Sequence, residues 1–377
     1  MNSRRKVFLT LFILGSWIQT SAKQFLFIAA RKDSPLVSYE VDAGTGALKK
    51  HCTLELTGTG GPMSLTRDGK YLYVESHITK EGEKKPVPHI VTLKVDEGTF
   101  KQIHVARVRL RSPSVHVDDT GRNLLGAHYG EGMVSVWRID GKHRCTGELT
   151  DGHTTAPRAH FITTDPSNSY AYVPHTSANA IYQFRLDAKK GKLIPIKPPF
   201  AKGPDKDHRY HEPRHYAHHP TLSKGYTSNE RGGGISLWDF NPKTGQLNLA
   251  QTLCTRPDNY PSTGGAGADI HITPNGKFVY MSNRDYNRGG KDKPHQDTIA
   301  GYRIQSKTGR MAYIGNFATE HAPRSFCIDQ TSNFLFVAGQ HVNKLAAYRI
   351  DQDSGMLKRI DTYETANGPI WVITHDY

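Results

Sequence analysis

Three basic side chains recur at one point of a repeated segment. His160, Arg214 and Arg324 each stand six residues ahead of a turn residue: Pro166, Pro220 and Gln330. A second set follows the apolar run after each such turn and comprises His77, Tyr129, His175, Glu230, Arg284 and Gln340. Gathered at one surface, the two sets place several cations and imidazoles around a single conspicuous carboxylate, Glu230. That combination suits the opening of a lactone. Water must be made nucleophilic by a general base, and Glu230 is the candidate. The carbonyl oxygen gains charge as water attacks, so fixed donors must face it; His160, Arg214 and Arg284 are assigned to that task. Arginine also suits planar, two-pronged contact with a carboxylate or phosphate. Arg324, His175, Tyr129, Gln340 and His215 are assigned to substrate binding at the same surface. The structural alternative is an inter-strand ion pair between Arg214 and Glu230, with His160 a satisfied interior histidine.

Elements that bring such distant residues together are visible as repeats. One motif, an apolar strand with a large central side chain and then a polar turn, occurs seven times; GISLWDFNPKTGQLNLA at Gly234 and KLAAYRIDQDSGMLKRI at Lys344 are two copies. The central residues are Tyr39, Leu93, Trp137, Phe184, Trp238, Tyr302 and Tyr348, roughly 44 to 64 residues apart, the period of a four-stranded propeller blade. A second motif runs out of phase: a short strand, a turn and another strand, as in GADIHITPNGKFVYMS at Gly267. Its last copy, GPIWVITHDY at Gly368, lacks the second strand, and QFLFIAA at Gln24 supplies it. The chain is therefore predicted to be all-β: a seven-bladed β-propeller of four-stranded antiparallel blades. One blade is built from the N- and C-terminal strands, which removes open sheet edges. The first strand of each blade lines the channel from one rim, and the second returns to that rim. Both sets of polar residues thus converge on one mouth.

Composition agrees. The 377 residues include 35 glycines and 21 prolines, and no segment outside the N-terminus sustains helical periodicity. Residues 23–377 read as one domain. Ahead of them, Arg4, Arg5 and Lys6 precede an apolar run over 7–18, with small residues Thr20 and Ala22 before Lys23. This order is that of a cleaved signal peptide, 1–22, too short to span a bilayer comfortably. It places the mature chain in a periplasm or outside the cell, with a cytoplasmic location as the alternative. Ser3-Arg4-Arg5 also resembles the start of a twin-arginine signal, although Val7 departs from it. Once the segment is removed, no stable membrane insertion is expected, and a monomer is anticipated. The four cysteines, Cys52, Cys145, Cys254 and Cys327, show no CxxC spacing and are expected as buried thiols. The formal charge of +14 favours anionic partners. No basic run interleaved with aromatics points to nucleic acid.

Other motifs carry less. His208, His211, His215, His218 and His219 crowd one stretch, near Asp207 and Glu212. Strand alternation sends His215 and His218 to opposite faces, so no metal site is expected. Gly232-Gly233-Gly234 precedes no helix and is a turn rather than a phosphate loop. There is no GxSxG elbow, which disfavours serine-hydrolase chemistry. No cofactor is implied.

The chain resembles the seven-bladed β-propeller lactonases, a family that includes bacterial 6-phosphogluconolactonase and the fungal carboxymuconate-lactonising enzyme. The resemblance covers most of residues 24–377. It rests on PRH at Pro213, NE at Asn229, ADIHITPNG at Ala268, AGQ at Ala338 and GPIWV at Gly368. It implies an active site of His160, Arg214, Glu230 and Arg284, and hydrolysis of a small anionic sugar lactone such as 6-phosphogluconolactone. A lactonising cycloisomerase and a non-enzymatic propeller that binds a partner on its rim are the alternatives. Extra residues in segments 80–88 and 287–296 enlarge loops at the rim and are expected to bear on the substrate.

Overall fold

A computed structural model describes residues 22–32, 35–79, 85–205, 210–256, 265–285 and 296–377. The leading segment 1–21 lies outside the described residues, as do Asp207, His208, and residues 80–84 and 287–295 of the two enlarged loops. Among the described residues, 28 strands form seven four-stranded antiparallel blades. Two of these, the fifth and sixth, are linked by one bridging pair, Arg231 with Ala266. No helix among the described residues is long and apolar enough to cross a membrane.

The first blade joins the first and last described strands. Strand Pro369–Asp376 pairs with Gln24–Ala30, which continues to Pro35–Val41 and Leu48–Glu55. The register sets Leu26 against Thr374 and Ile28 against Val372. The first and last described strands are thereby built into one sheet, with Pro369–Asp376 as its innermost strand.

Burial along each blade follows position in the ring. Second strands are buried on both faces, as in Asn123–His128, Tyr170–His175 and Phe334–Gly339. Neighbouring blades cover both sides, so these strands are continuously apolar rather than alternating. Outer strands, such as Lys192–Lys202, are mostly exposed. Seven apolar clusters fill the spaces between blades. Phe25 and Phe27 of blade 1 meet Leu72 and Val74 of blade 2. On the other face, Leu26 and Ile28 meet Phe334 and Phe336 of blade 7. Blades 2–3, 3–4, 4–5, 5–6 and 6–7 share the remaining five clusters. The apolar contacts therefore run unbroken around the ring.

The glycine in the turn of the first repeat has two jobs. Gly245 sits at φ 74°, where a side chain is strained, and a Cβ there would lie 2.2 Å from the Tyr170 ring of the preceding blade. Its carbonyl accepts the Tyr172 hydroxyl at 2.7 Å. Gly309 and Gly355 accept Tyr226 and Tyr280 in the same way. The motif thus encodes a latch between blades as well as a turn.

First strands surround a central channel of about 650 Å³, lined by residues such as Leu65, Val115, Trp371 and Ile373. Across its middle, His215 stacks on Phe161 at 4.5 Å and lies 6.1 Å from Trp371. Beyond these rings is the mouth at which the first strands begin and the second strands end.

All four cysteines are free thiols. Cys145 and Cys327 are buried as expected, whereas Cys52 and Cys254 are only partly so.

Candidate active site

Hairpin register decides which residues reach the mouth. The second strands pair His128 with Met133, His175 with Ala180, Asn229 with Gly234, Asn283 with Thr298 and Gly339 with Lys344. The residues that follow in register are Tyr129, Thr176, Glu230, Arg284 and Gln340. In the first blade Ala29 pairs with Leu36, which makes Arg31 the counterpart of Glu230.

Of these, Arg31, Tyr129, Glu230 and Arg284, with the starts of the first strands, line a cavity of about 550 Å³. Its wall includes His160, Glu230, Arg284, Arg324 and Tyr129, all expected from the sequence, together with Arg31, Arg111, Ser112 and Glu131. A cavity of this size is that of a small-molecule site.

Glu230 is the pivot. Arg284 donates from Nη2 to its Oε1 at 3.1 Å, and Arg214 Nε lies 3.8 Å from the same oxygen. Arg284 is further fixed by donation to the carbonyls of Gly267 at 2.9 Å and Ala266 at 3.4 Å. Side-chain exposure is 1% for Arg214, 2% for Arg284 and 27% for Glu230. The carboxylate therefore remains open to the cavity while its partners are packed behind or beside it. Burial pushes the Glu230 carboxyl up, but the charges of Arg214, Arg284 and Arg324 outweigh it and hold the group below its ordinary value of 4.5. Glu230 is ionised at neutral pH.

His160 is the complementary group. It is buried, its ring meets Tyr129 edge-on at 5.7 Å, and its Nδ1 has no hydrogen-bond partner. Burial first, and then the charges of Arg214, His215, Arg324 and Arg284, hold its pKa well below 6.5. At neutral pH this imidazole is uncharged, with one N–H to donate and one lone pair to accept.

Behind Arg214 runs a chain of buried polar contacts. Asp269 accepts from His215 Nδ1 at 2.8 Å, and Arg214 Nη1 lies 3.0 Å from His215 Nε2. Burial lowers the His215 pKa to about 4, aided by the Arg214 charge and opposed by Asp269. Burial opposes ionisation of Asp269, yet His271 and His215 hold it well below 3.8. The consistent assignment is a neutral imidazole that gives its Nδ1 proton to an ionised Asp269 and receives an Arg214 N–H at Nε2. Asp269 also accepts the backbone N–H of Phe326 from the next blade, at 3.1 Å.

Several sequence expectations need correction. His215 does not line the cavity; it orients Arg214 from behind. His175 is fully buried away from the mouth, with Nδ1 2.8 Å from the Val173 carbonyl and Nε2 2.8 Å from Thr155 Oγ1. The register explains this: Thr176, not His175, is the counterpart of Glu230, and a slip of one residue exchanges the faces of a strand. Gln340 has the right register but lines a separate hollow of about 260 Å³ with Lys32, His341 and Asn367, touching the main site only through the shared Arg31. Arg214 is packed beneath the carboxylate and is not part of the cavity wall. The sequence reading missed Arg31, Arg111, Ser112, Glu131 and Asp269. Arg31 follows QFLFIAA, the strand assigned to the closing blade, so the rule that found Glu230 applied to it as well. Asp269 belongs to the ADIHITPNG segment. Arg111 precedes a first strand and had no distinguishing signal.

Of the crowded histidines, His218 packs between Tyr172, Tyr216 and Phe240 and is separated from His215, as strand alternation requires. Among the described residues no group of three or more His, Cys, Asp or Glu side chains is arranged to hold a metal ion.

Comparison with known proteins agrees with this architecture. Residues 29–374 match the model of the family described as lactonase, 7-bladed beta-propeller. The 6-phosphogluconolactonase of Yersinia enterocolitica is 30% identical over 352 residues, covering 93% of this chain and 98% of that protein. That of Yersinia pseudotuberculosis is 29% identical over 352 residues, covering 93% and 97%. A crystal structure from Bacteroides fragilis superposes with a TM-score of 0.81 at 19% identity, covering 95% of this chain and 99% of that one. The periplasmic gluconolactonase of Pseudomonas aeruginosa gives 0.80 at 18% identity, covering 94% and 99%. At such identities the two structures show the shared fold.

Proposed function

We propose that this chain, which belongs to the lactonase family of seven-bladed β-propellers, hydrolyses an anionic sugar lactone, of which 6-phospho-D-glucono-1,5-lactone is the best candidate. The observation that carries the reading is the ionised Glu230, open to the cavity and 3.1 Å from Arg284, with a neutral His160 on the same wall. Water is the nucleophile. Glu230 takes its proton as oxygen attacks the lactone carbonyl. The oxyanion that forms is met by the His160 N–H and the Arg284 guanidinium, both held rigidly before the substrate arrives. Collapse breaks the bond between the carbonyl carbon and the ring oxygen. The proton held by Glu230 then passes to the departing alkoxide, so one water is consumed and one hydroxy acid released.

Arg214 acts through Glu230 rather than on the substrate. It keeps the carboxylate ionised and turned, and Asp269 and His215 fix its own orientation. The same field lowers the basicity of Glu230. Negative charge developing on the carbonyl oxygen against Arg284 offsets part of that pull as the proton is transferred. The leading segment supports export, so the mature chain is expected to begin near Lys23; mass spectrometry of protein from its native host checks this. The test of function is an assay of the mature chain against phosphorylated and unphosphorylated sugar lactones, with a carboxymuconate included. Ring closure of the muconate without lactone hydrolysis is the result that assigns a cycloisomerase instead.

A further inference from the structure

The cavity carries more positive charge than lactone opening requires. Arg284 holds Glu230 and two carbonyls and is assigned to the oxyanion, and Arg214 lies beneath the floor. Arg31 and Arg111 are different. Both line the cavity, Arg31 from the end of a second strand in blade 1 and Arg111 from the segment that leads into blade 3. Neither guanidinium donates a hydrogen bond or forms an ion pair within the described residues.

We infer that Arg31 and Arg111 form a subsite for a phosphate monoester dianion, and that this pair makes the enzyme selective for a lactone phosphorylated on the carbon farthest from the ring carbonyl. The inference rests on the lactonase reading above and adds the part of the substrate that the reacting residues do not address.

Three observations support it. First, the two like charges are near enough to disturb each other: burial and then the Arg111 charge lower the Arg31 pKa, against a partial pull from Glu75. Two guanidiniums that line one cavity without a hydrogen-bond acceptor among the described residues are an arrangement that a doubly charged ligand relieves, and arginine forks match phosphate oxygens. Second, the nearby carboxylates are poor substitutes for a ligand. Glu75 is 2% exposed and already takes His77 Nε2 at 2.8 Å and the Ser112 N–H at 3.4 Å. Glu131 is exposed at the lip, where solvent screens it. Third, the placement suits the substrate. Arg31 and Arg111 come from blades 1 and 3, whereas Glu230 and Arg284 come from blades 5 and 6, so the two groups face the cavity from different sides of the ring. A sugar lactone with its carbonyl at Glu230 extends its far carbon toward the other side.

The test compares charge at one end of otherwise equal ligands. Calorimetric titration with 6-phosphogluconate and with gluconate reads the subsite without turnover. Parallel kinetics use 6-phosphogluconolactone and glucono-1,5-lactone. The parent protein is expected to prefer the phosphorylated ligand in both. Arg31→Gln and Arg111→Gln are each expected to weaken the phosphorylated ligand by roughly tenfold or more, the scale of a charge-assisted hydrogen bond, and the double variant to abolish the preference. Glucono-1,5-lactone, which lacks the phosphate, should lose less than 6-phosphogluconolactone in every variant. Arg111 is exposed, so Arg111→Gln reports even if changes at the half-buried Arg31 disturb folding. A parent protein without preference for 6-phosphogluconate, or a preference undiminished in Arg111→Gln, overturns the subsite. Absence of hydrolysis of either lactone by a parent that still prefers 6-phosphogluconate overturns the hydrolase reading while the subsite stands.

Discussion

Replacement of Glu230 by glutamine separates chemistry from structure. The amide keeps the shape of the carboxylate, and its carbonyl still accepts the Arg284 hydrogen bond, but it cannot take a proton from water. Loss of a general base is worth about 10²–10⁴ in kcat, or roughly 3–5 kcal/mol of barrier. The structural cost is smaller. Removing one partner of a fully buried ion pair costs about 3–5 kcal/mol. Glu230 is 27% exposed and the hydrogen bond survives, so we expect about 1–2 kcal/mol and a loss of a few degrees in Tm. At 25 °C such a protein remains folded, and the kinetic loss is read cleanly from steady-state rates against the spontaneous opening of the lactone. Product binding should change little. Near-parental turnover in Glu230→Gln refutes the base assignment. His160 then becomes the candidate, although its lowered pKa makes it a weak base.

Other consequences follow from the same geometry. Glu230 has a depressed carboxyl, so kcat/KM should hold level through pH 6–7 and fall only as pH drops below 4.5. Arg284→Met removes part of the opposing charge, leaves burial to act, and should move that acid limb upward; an unmoved limb assigns the titration to another group. Stability has its own pH dependence. Burial holds His116 and His175 at about 4, and His218 at about 4, so the unfolded chain binds more protons than the native one between 4 and 6.5. Stability should therefore be fully present above pH 6.5 and fall as pH drops toward 4, which denaturant titrations at several pH values measure; a flat profile contradicts the assignment. Deletion of 368–377 removes strand Pro369–Asp376 and the buried Ile370 and Val372, and with them the inner strand of the closing blade. Calorimetry should show no cooperative transition near that of the parent.

The fold was largely legible because a propeller writes its period into the chain. Each blade needs a large buried side chain and a left-handed turn against the neighbouring blade, filled by glycine as at Gly245 or by His143 in the third blade, so Trp238 and Tyr348 announce equivalent positions. The offset last copy, GPIWV at Gly368, disclosed that the two ends share a blade. The site was legible only where residue type and register coincided, as at Glu230, Arg284, His160 and Arg324. His175 shows the limit: a histidine at the end of a strand looks like a site residue, and only the observed pairing with Ala180 reveals that it faces a blade interface. Arg214 and His215 show another. Depth below a surface depends on what stacks across the channel, here Phe161 and Trp371 from distant blades, and no local pattern encodes it. Arg111 lies outside both repeats, where periodicity has nothing to say.

We propose that the ring mouth opens an anionic sugar lactone by water, with Glu230 as base. The most direct test is the initial rate of 6-phosphogluconolactone hydrolysis by the purified mature chain, measured beside Glu230→Gln and corrected for spontaneous opening. Clear acceleration by the parent is expected, with a fall of about 10²–10⁴ in kcat for the variant while the product is still bound. A parent rate no faster than spontaneous opening, or equal rates for the two proteins, contradicts it.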